Sequence, residues 1–195
     1  MYSTDLIFAT NNAHKVKEIK AVVGNKLNII SLLEAGINID IPEPHDTLEA
    51  NATEKSSVIH SLTGKNCFSE DTGLEVEALN GEPGVKSARY AGDSQNFKAN
   101  IEKLIAKLDG ITNRSAQFRT VVSLIWNNKE YLFEGVCKGQ IIPIQKGLEG
   151  FGYDPIFVPE GSNKTFAEMT MEEKNMFSHR KKAVSKLIDF LQSHI

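Results

Sequence analysis

Ser69-Glu70-Asp71-Thr72-Gly73 sets two adjacent carboxylates directly after Asn66-Cys67-Phe68, a run that reads as a short buried strand. Side by side, two carboxylates repel and raise each other's pKa. A solvated acidic turn would account for the pair. So would a bound divalent cation, because hard oxygen ligands suit Mg²⁺ and its charge offsets theirs. Three other polar clusters stand at the ends of predicted elements: Thr10/Asn12/Lys15, Glu43, and Phe151-Gly152-Tyr153-Asp154 with Lys174, His179 and Arg180. Each alone could be a turn, a loop glutamate, surface charge or a helix start. Together they offer carboxylates for a metal, cations and amides for a polyphosphate, and an aromatic with directional donors for a base.

The elements that would carry these groups can be read in order. Leu6-Ile7-Phe8-Ala9 is a continuous apolar run, the pattern of a strand covered on both faces. Thr10-Asn11-Asn12 breaks it, and from Ala13 to Val23 the residues Val16, Ile19 and Val23 fall on one helical stripe that Gly24 ends. A strand, polar turn and helix in this order can receive phosphate on helix-start N–H groups. Lys15 lies in the first turn and is placed to join the anion, whereas Lys17 and Lys20 read as solvated.

A second strand is expected from Leu27 to Ser31. Pro42-Glu43-Pro44 then holds one carboxylate in a stiff, non-helical segment. Asp46 and Glu49 resemble a capping box for a helix running to Leu62. On that helix Lys55 interrupts an apolar stripe, either snorkelling to solvent or facing a cleft. Leu74 to Leu79 alternates as a half-exposed strand, and Phe97, Ile101, Leu104, Ile105 and Leu108 mark a clear helix. Ser115 to Trp126 and Glu130 to Ile142 read as a hairpin joined at Asn127-Asn128. Gly150 to Phe157 reads as entry into a last strand, with glycines around an exposed aromatic. Thr170 and Glu173 cap a short helix ending near Phe177, and a final helix from about Ser178 buries Ala183, Val184, Leu187, Ile188 and Leu191.

Composition narrows the classes. At 195 residues the chain suits one large domain or two tightly joined lobes, and nothing in it resembles a linker or repeat. A net charge of −3 gives no general attraction for nucleic acid or an acidic membrane, so any anion must meet a local cluster. Cys67 and Cys137 stand apart and read as reduced core residues. Met1 to Phe8 lacks the basic region and long apolar run of a signal peptide, and no stretch reaches membrane-spanning length. A cytoplasmic protein is expected. Walker-type and Gly-x-Gly-x-x-Gly loops, a His-x-x-x-His pair and a Gly-x-Ser-x-Gly elbow are all missing.

Several blocks now align with one known pattern: Ala-Thr-x-Asn-x-x-Lys at 9–15, Glu-Asp-Thr-Gly at 70–73, and Pro-Gly-Val-x-Ser-Ala-Arg-Tyr at 83–90. Gly-Phe-Gly-Tyr-Asp-Pro at 150–155, Glu-Glu-Lys at 172–174 and Ser-His-Arg at 178–180 complete it. The chain resembles the inosine/xanthosine triphosphate pyrophosphatases, which hydrolyse non-standard purine nucleoside triphosphates to the monophosphate and pyrophosphate. The resemblance implies an elongated α/β fold, two lobes around a long mixed sheet with flanking helices and the site in the cleft between them. It implies a single domain over 1–195, usually a homodimer, with Mg²⁺ as cofactor and a small nucleotide as substrate.

Residue by residue, the resemblance places Thr10, Asn12 and Lys15 in a triphosphate-binding turn and turns Lys55 toward the phosphates. Glu43 would be a metal ligand, Asp71 a metal ligand and proton acceptor, and Glu70 a ligand or its neighbour. Thr72 would touch substrate, Phe151, Gly152, Tyr153 and Asp154 the nucleoside, and Lys174 a phosphate or the base. His179 and Arg180 would read the base. Ala50 departs from the family's usual glutamate, a role Glu49 could take over. Competing expectations are a pyrophosphatase for pyrimidine or modified nucleotides, and a non-catalytic nucleotide sensor. The sensor is disfavoured by the retained carboxylates.

Overall fold

The computed structural model describes residues 5–25, 27–92 and 95–194; residues 1–4, part of the stretch read for a signal peptide, lie outside it. The fold is a mixed α/β one. Its strands are β1 (Asp5–Phe8), β2 (Asn28–Ser31), β3 (Cys67–Val76), β4 (Pro83–Gly84), β5 (Ser115–Trp126), β6 (Lys129–Ile141) and β7 (Phe157–Pro159). Its helices are α1 (Ala13–Val23), α2 (Leu48–Thr63), α3 (Phe97–Lys107), α4 (Met171–Phe177) and α5 (His179–His194). The strands hydrogen-bond in the order β2-β1-β3-β5-β6-β7, and β4 pairs with β3. Two compact units share the chain: Met1–Asp71, Thr120–Gly135 and Arg180–Ile195 form one, Thr72–Arg119 and Val136–His179 the other. Among the described residues no helix is long and apolar enough to cross a membrane.

In the first unit β1 runs parallel to both β2 (Ile7 opposite Ile30) and β3 (Ile7 opposite Cys67). Parallel neighbours on both sides explain why its apolar residues form a continuous run. The two-residue period sends Leu6 and Phe8 into a core with Ile19 of α1 and Val184 and Leu187 of α5, whereas Ile7 and Ala9 pack with Ile59 of α2 and Ile125. The rings of Phe8 and Phe68 stack across the β1–β3 pair, with centroids 4.5 Å apart. The β5–β6 hairpin turns at Asn127 and Asn128, whose φ angles of 51° and 62° suit asparagine. In the second unit Leu74, Val76, Leu104, Leu108, Phe118, Phe157 and Phe166 build a separate core.

Four local expectations are corrected. Glu70 and Asp71 do not sit in a turn at a strand mouth; they lie inside β3, a ten-residue strand that continues past Gly73. Gly73 serves close approach rather than a turn, since a Cβ there would come within 2.6 Å of the Gly84 carbonyl oxygen. Residues 77–79 are a 3₁₀ turn and not the end of a strand. Thr47, not Asp46, caps α2 by accepting the Ala50 N–H, because the helix begins one residue later than the spacing suggested. Finally, the last strand starts only at Phe157; Asp154–Ile156 is a 3₁₀ turn whose second residue, Pro155, has a fixed φ and lacks an N–H.

Candidate active site

The turn between β1 and α1 is organised by its own side chains. Asn12 caps the helix, its Oδ1 accepting the N–H groups of His14 (3.0 Å) and Lys15 (3.1 Å). Thr10 Oγ1 accepts the Asn12 N–H at 3.2 Å, so the two polar residues fix the backbone from which Lys15 projects. Lys17 and Lys20 are exposed, as expected, and Lys20 pairs with Glu34. Lys15 reaches inward to Glu70 Oε1 at 3.2 Å.

Successive side chains of a strand point to opposite faces. That alternation turns Glu70 and Asp71 to opposite faces of β3, Glu70 against Arg180 and Lys15, Asp71 against Lys55, with the Lys15 charge felt by both. Arg180, at the start of α5, grips Glu70 in a fork: Nε to Oε2 at 2.8 Å and Nη2 to Oε1 at 2.9 Å. Its remaining nitrogen, Nη1, bonds Glu18 of α1. Both Glu70 and Arg180 are buried. Burial alone would raise the Glu70 pKa, but Arg180 and Lys15 outweigh it and hold the carboxyl at about 2. Because every guanidinium nitrogen already meets a carboxylate, a contact from Arg180 to a base would cost one of these ion pairs.

Asp71 has a different setting. Its Oδ1 accepts from Lys55 Nζ at 3.1 Å, and Lys55 also bonds Glu43. Lys55 is only 6% exposed, so it lies inside rather than snorkelling. Burial raises the Asp71 pKa and the nearby Glu43 adds to the rise, while Lys55 and Lys15 oppose it; the net direction is upward. For Lys55, burial works against the charged form, but Asp71 and Glu43 overcome it and its pKa rises. A buried carboxyl with an upward-shifted pKa, held by an ammonium, is the usual state of a general base.

Among the described residues no three His, Cys, Asp or Glu side chains converge on one point. The structure thus brings Glu43 and Asp71 together, with one ammonium between them, and does not bring Glu70 to them. This pair still fits Mg²⁺. Its two hard oxygens already converge on a positive charge, and Mg²⁺ ordinarily takes one or two carboxylates, completing its shell with water and phosphate.

The second unit gathers the remaining expected residues. Gly150 adopts φ +77°, and a Cβ there would meet Asp154 Oδ2 at 2.1 Å. The same oxygen accepts the Phe151 N–H (2.9 Å) and Lys174 Nζ (2.6 Å). Lys174, on α4, is buried and lies 5.6 Å from the Phe151 ring centre and 5.1 Å from that of Phe166. Gly152 takes φ +62°. The aromatic expected to be exposed is not: Phe151 is half-buried, and Tyr153 is buried with its hydroxyl donating to the Ser87 carbonyl at 2.9 Å. Burial pushes the Tyr153 phenol up, so it stays a donor. His179 stacks on Phe118, centroids 4.7 Å apart and planes within 14°. Thr72 follows Asp71 on β3 and is half-buried.

Three residues that shape these clusters carry little or no signal in the sequence. Glu18 sits in a mixed-charge helix, and its partner is 162 positions away, so no local pattern reveals it. Phe118 is one of several large or apolar residues at alternate positions of β5, so its stacking on His179 has no local signature. Asn51 gave a faint signal, being a poor helix former in the first turn of a helix.

A model of the Ham1 family matches residues 6–190. The dITP/XTP pyrophosphatase of Flavobacterium psychrophilum is 50% identical over 188 residues, 96% of this chain and 99% of the relative. That of Porphyromonas gingivalis is 50% identical over 187 residues, covering 95% and 96%. Among solved structures, the Staphylococcus aureus Ham1 protein superposes with a TM-score of 0.88 at 38% identity, covering 98% of this chain and 100% of that one. A HAM1 protein from Coxiella burnetii gives a TM-score of 0.88 at 33% identity, covering 97% and 99%.

Proposed function

We propose that this chain, which belongs to the Ham1 family, is a pyrophosphatase for non-standard purine nucleoside triphosphates, hydrolysing dITP, ITP and XTP to the monophosphate and pyrophosphate. The observation that carries the chemistry is the Glu43–Lys55–Asp71 cluster, in which a buried carboxylate suited to proton transfer is held against a buried cation. Glu43 and Asp71 would hold Mg²⁺, which when bound offsets triphosphate charge and acidifies water. Asp71 accepts the proton of a water attacking in line at the α-phosphorus, and the bond to the pyrophosphate leaving group breaks. Lys15 and Lys55 take up charge developing on that group, with Thr10 and Asn12 shaping the turn that meets it.

Recognition of the base falls to the residues around Phe151, Tyr153, Asp154, Lys174 and His179. Hypoxanthine and xanthine present an acceptor at position 6, and a donor aimed there would face adenine's amino group unpaired. A mismatch of that kind discriminates by about 10⁴. The enzyme acts in the cytoplasm as a homodimer, a state that light scattering of the purified protein tests directly. The activity is tested by product analysis with ITP, dITP, XTP, GTP, ATP and dUTP, each with Mg²⁺ and then with chelator. Pyrophosphate from ITP and XTP, little from ATP or GTP, and none after chelation are expected. Release of orthophosphate, or equal turnover of ATP, would refute the reading.

A further inference from the structure

Asn51 joins the Glu43 segment to Asp71 within the first unit. It is 1% exposed in the first turn of α2. Its Oδ1 accepts the His45 N–H at 2.9 Å and its Nδ2 donates to the His45 carbonyl at 3.0 Å, so one side chain pairs with both backbone groups of that residue. His45 follows Glu43 by two positions with Pro44 between, and a fixed proline φ transmits that anchorage to the glutamate. The same Nδ2 lies 3.4 Å from Asp71 Oδ2. Asn51 and Lys55 are one turn apart on α2 and therefore share a face. Between them they address the two oxygens of the Asp71 carboxylate, Asn51 at Oδ2 and Lys55 at Oδ1.

We propose that Asn51 is a positioning residue for hydrolysis: it sets the orientation of the Asp71 carboxylate and the approach of Glu43 together, without touching substrate. This rests on the reading of Asp71 as proton acceptor. The demand is specific. The site needs two donors and one acceptor on a short planar group, which asparagine supplies. Aspartate keeps the size and the acceptor for the His45 N–H, but it would turn an oxygen toward the Asp71 carboxylate and the His45 carbonyl.

The test is a double-mutant cycle of Asn51→Asp with Asp71→Asn, read as the single-turnover rate on Mg²⁺–ITP. ITP binding in chelator and urea unfolding are recorded for every variant. Asn51→Asp should slow the reaction about 10- to 100-fold, the range for displaced supporting residues. ITP binding without metal should stay within about threefold, because Asn51 meets no phosphate. In the Asp71→Asn background the same change should cost distinctly less, since the carboxylate it orients is gone and only its hold on the Glu43 segment remains. An undiminished factor in that background, or an Asn51→Asp rate within about threefold of wild type, overturns the proposal alone. An Asp71→Asn rate near wild type overturns the proton-acceptor reading, and this proposal with it. Should Asn51→Asp not fold, Asn51→Ala enters the same cycle with the same outcomes.

Discussion

Glu70→Gln tests the claim that Glu70 is the buried counter-ion of Arg180. The substitution keeps the volume and removes the charge that accepts two Arg180 hydrogen bonds, at 2.8 and 2.9 Å, and the Lys15 ammonium at 3.2 Å. The carboxyl is held at about 2, against an ordinary value of 4.5. At about 1.4 kcal/mol per pKa unit, that displacement corresponds to about 3 kcal/mol of native-state stability near neutrality. Removing one member of a buried ion pair independently costs about 3–5 kcal/mol. The lower end applies, because Arg180 keeps Glu18 and the 15% exposed Lys15 side chain can turn to water.

A depressed native pKa stabilises fully above the unfolded value of 4.5 and loses its effect as pH falls through about 2. Glutamine does not titrate, so the stability gap between the two proteins isolates Glu70. Urea unfolding should give a gap of about 3 kcal/mol at neutral pH, narrowing below about pH 4.5 by up to about 1.4 kcal/mol per unit. A neutral-pH gap under about 1 kcal/mol, or a gap that stays constant into the acid range, would refute the reasoning.

Three other outcomes follow from the geometry. Asp71→Asn should lower kcat by about two orders of magnitude, the scale of a lost general base, and a single-turnover rate within about threefold of wild type would contradict that role. Lys55→Met removes the main attraction that favours ionised Asp71, so the Asp71 pKa, already raised, should rise further; the acid limb of the kcat/KM profile should move to higher pH, and an unmoved limb would count against the cluster. Gly150→Ala forces φ +77° on an alanine and drives its Cβ against Asp154 Oδ2. It should destabilise the protein by about 1–3 kcal/mol in urea unfolding, and a change under about 0.5 kcal/mol would show that the turn relaxes freely.

The sequence made most of the frame legible because its frame obeys local rules. The α1 boundaries match their stripe and glycine stop, the hairpin turns on two asparagines, and Thr170 and Glu173 form their capping box. The site was legible as a set of residues but not as a set of partnerships. Glu70 and Asp71 read as a turn because two acidic residues before a glycine are turn chemistry; only the long-range cations Arg180, Lys15 and Lys55 let the strand run through them. Arg180 read as free to meet a base because its acidic partners lie 110 and 162 positions away. Burial pushes both carboxyls up, and the cations beside each decide the outcome. Arg180 and Lys15 convert Glu70 into a fixed charge that does not titrate near neutrality, whereas the Asp71 pKa is shifted upward despite the pull of Lys55. Two neighbouring carboxylates on one strand are thereby shifted in opposite directions, one held well below the ordinary range and one pushed above it, and the strand's two-residue period is what separates them.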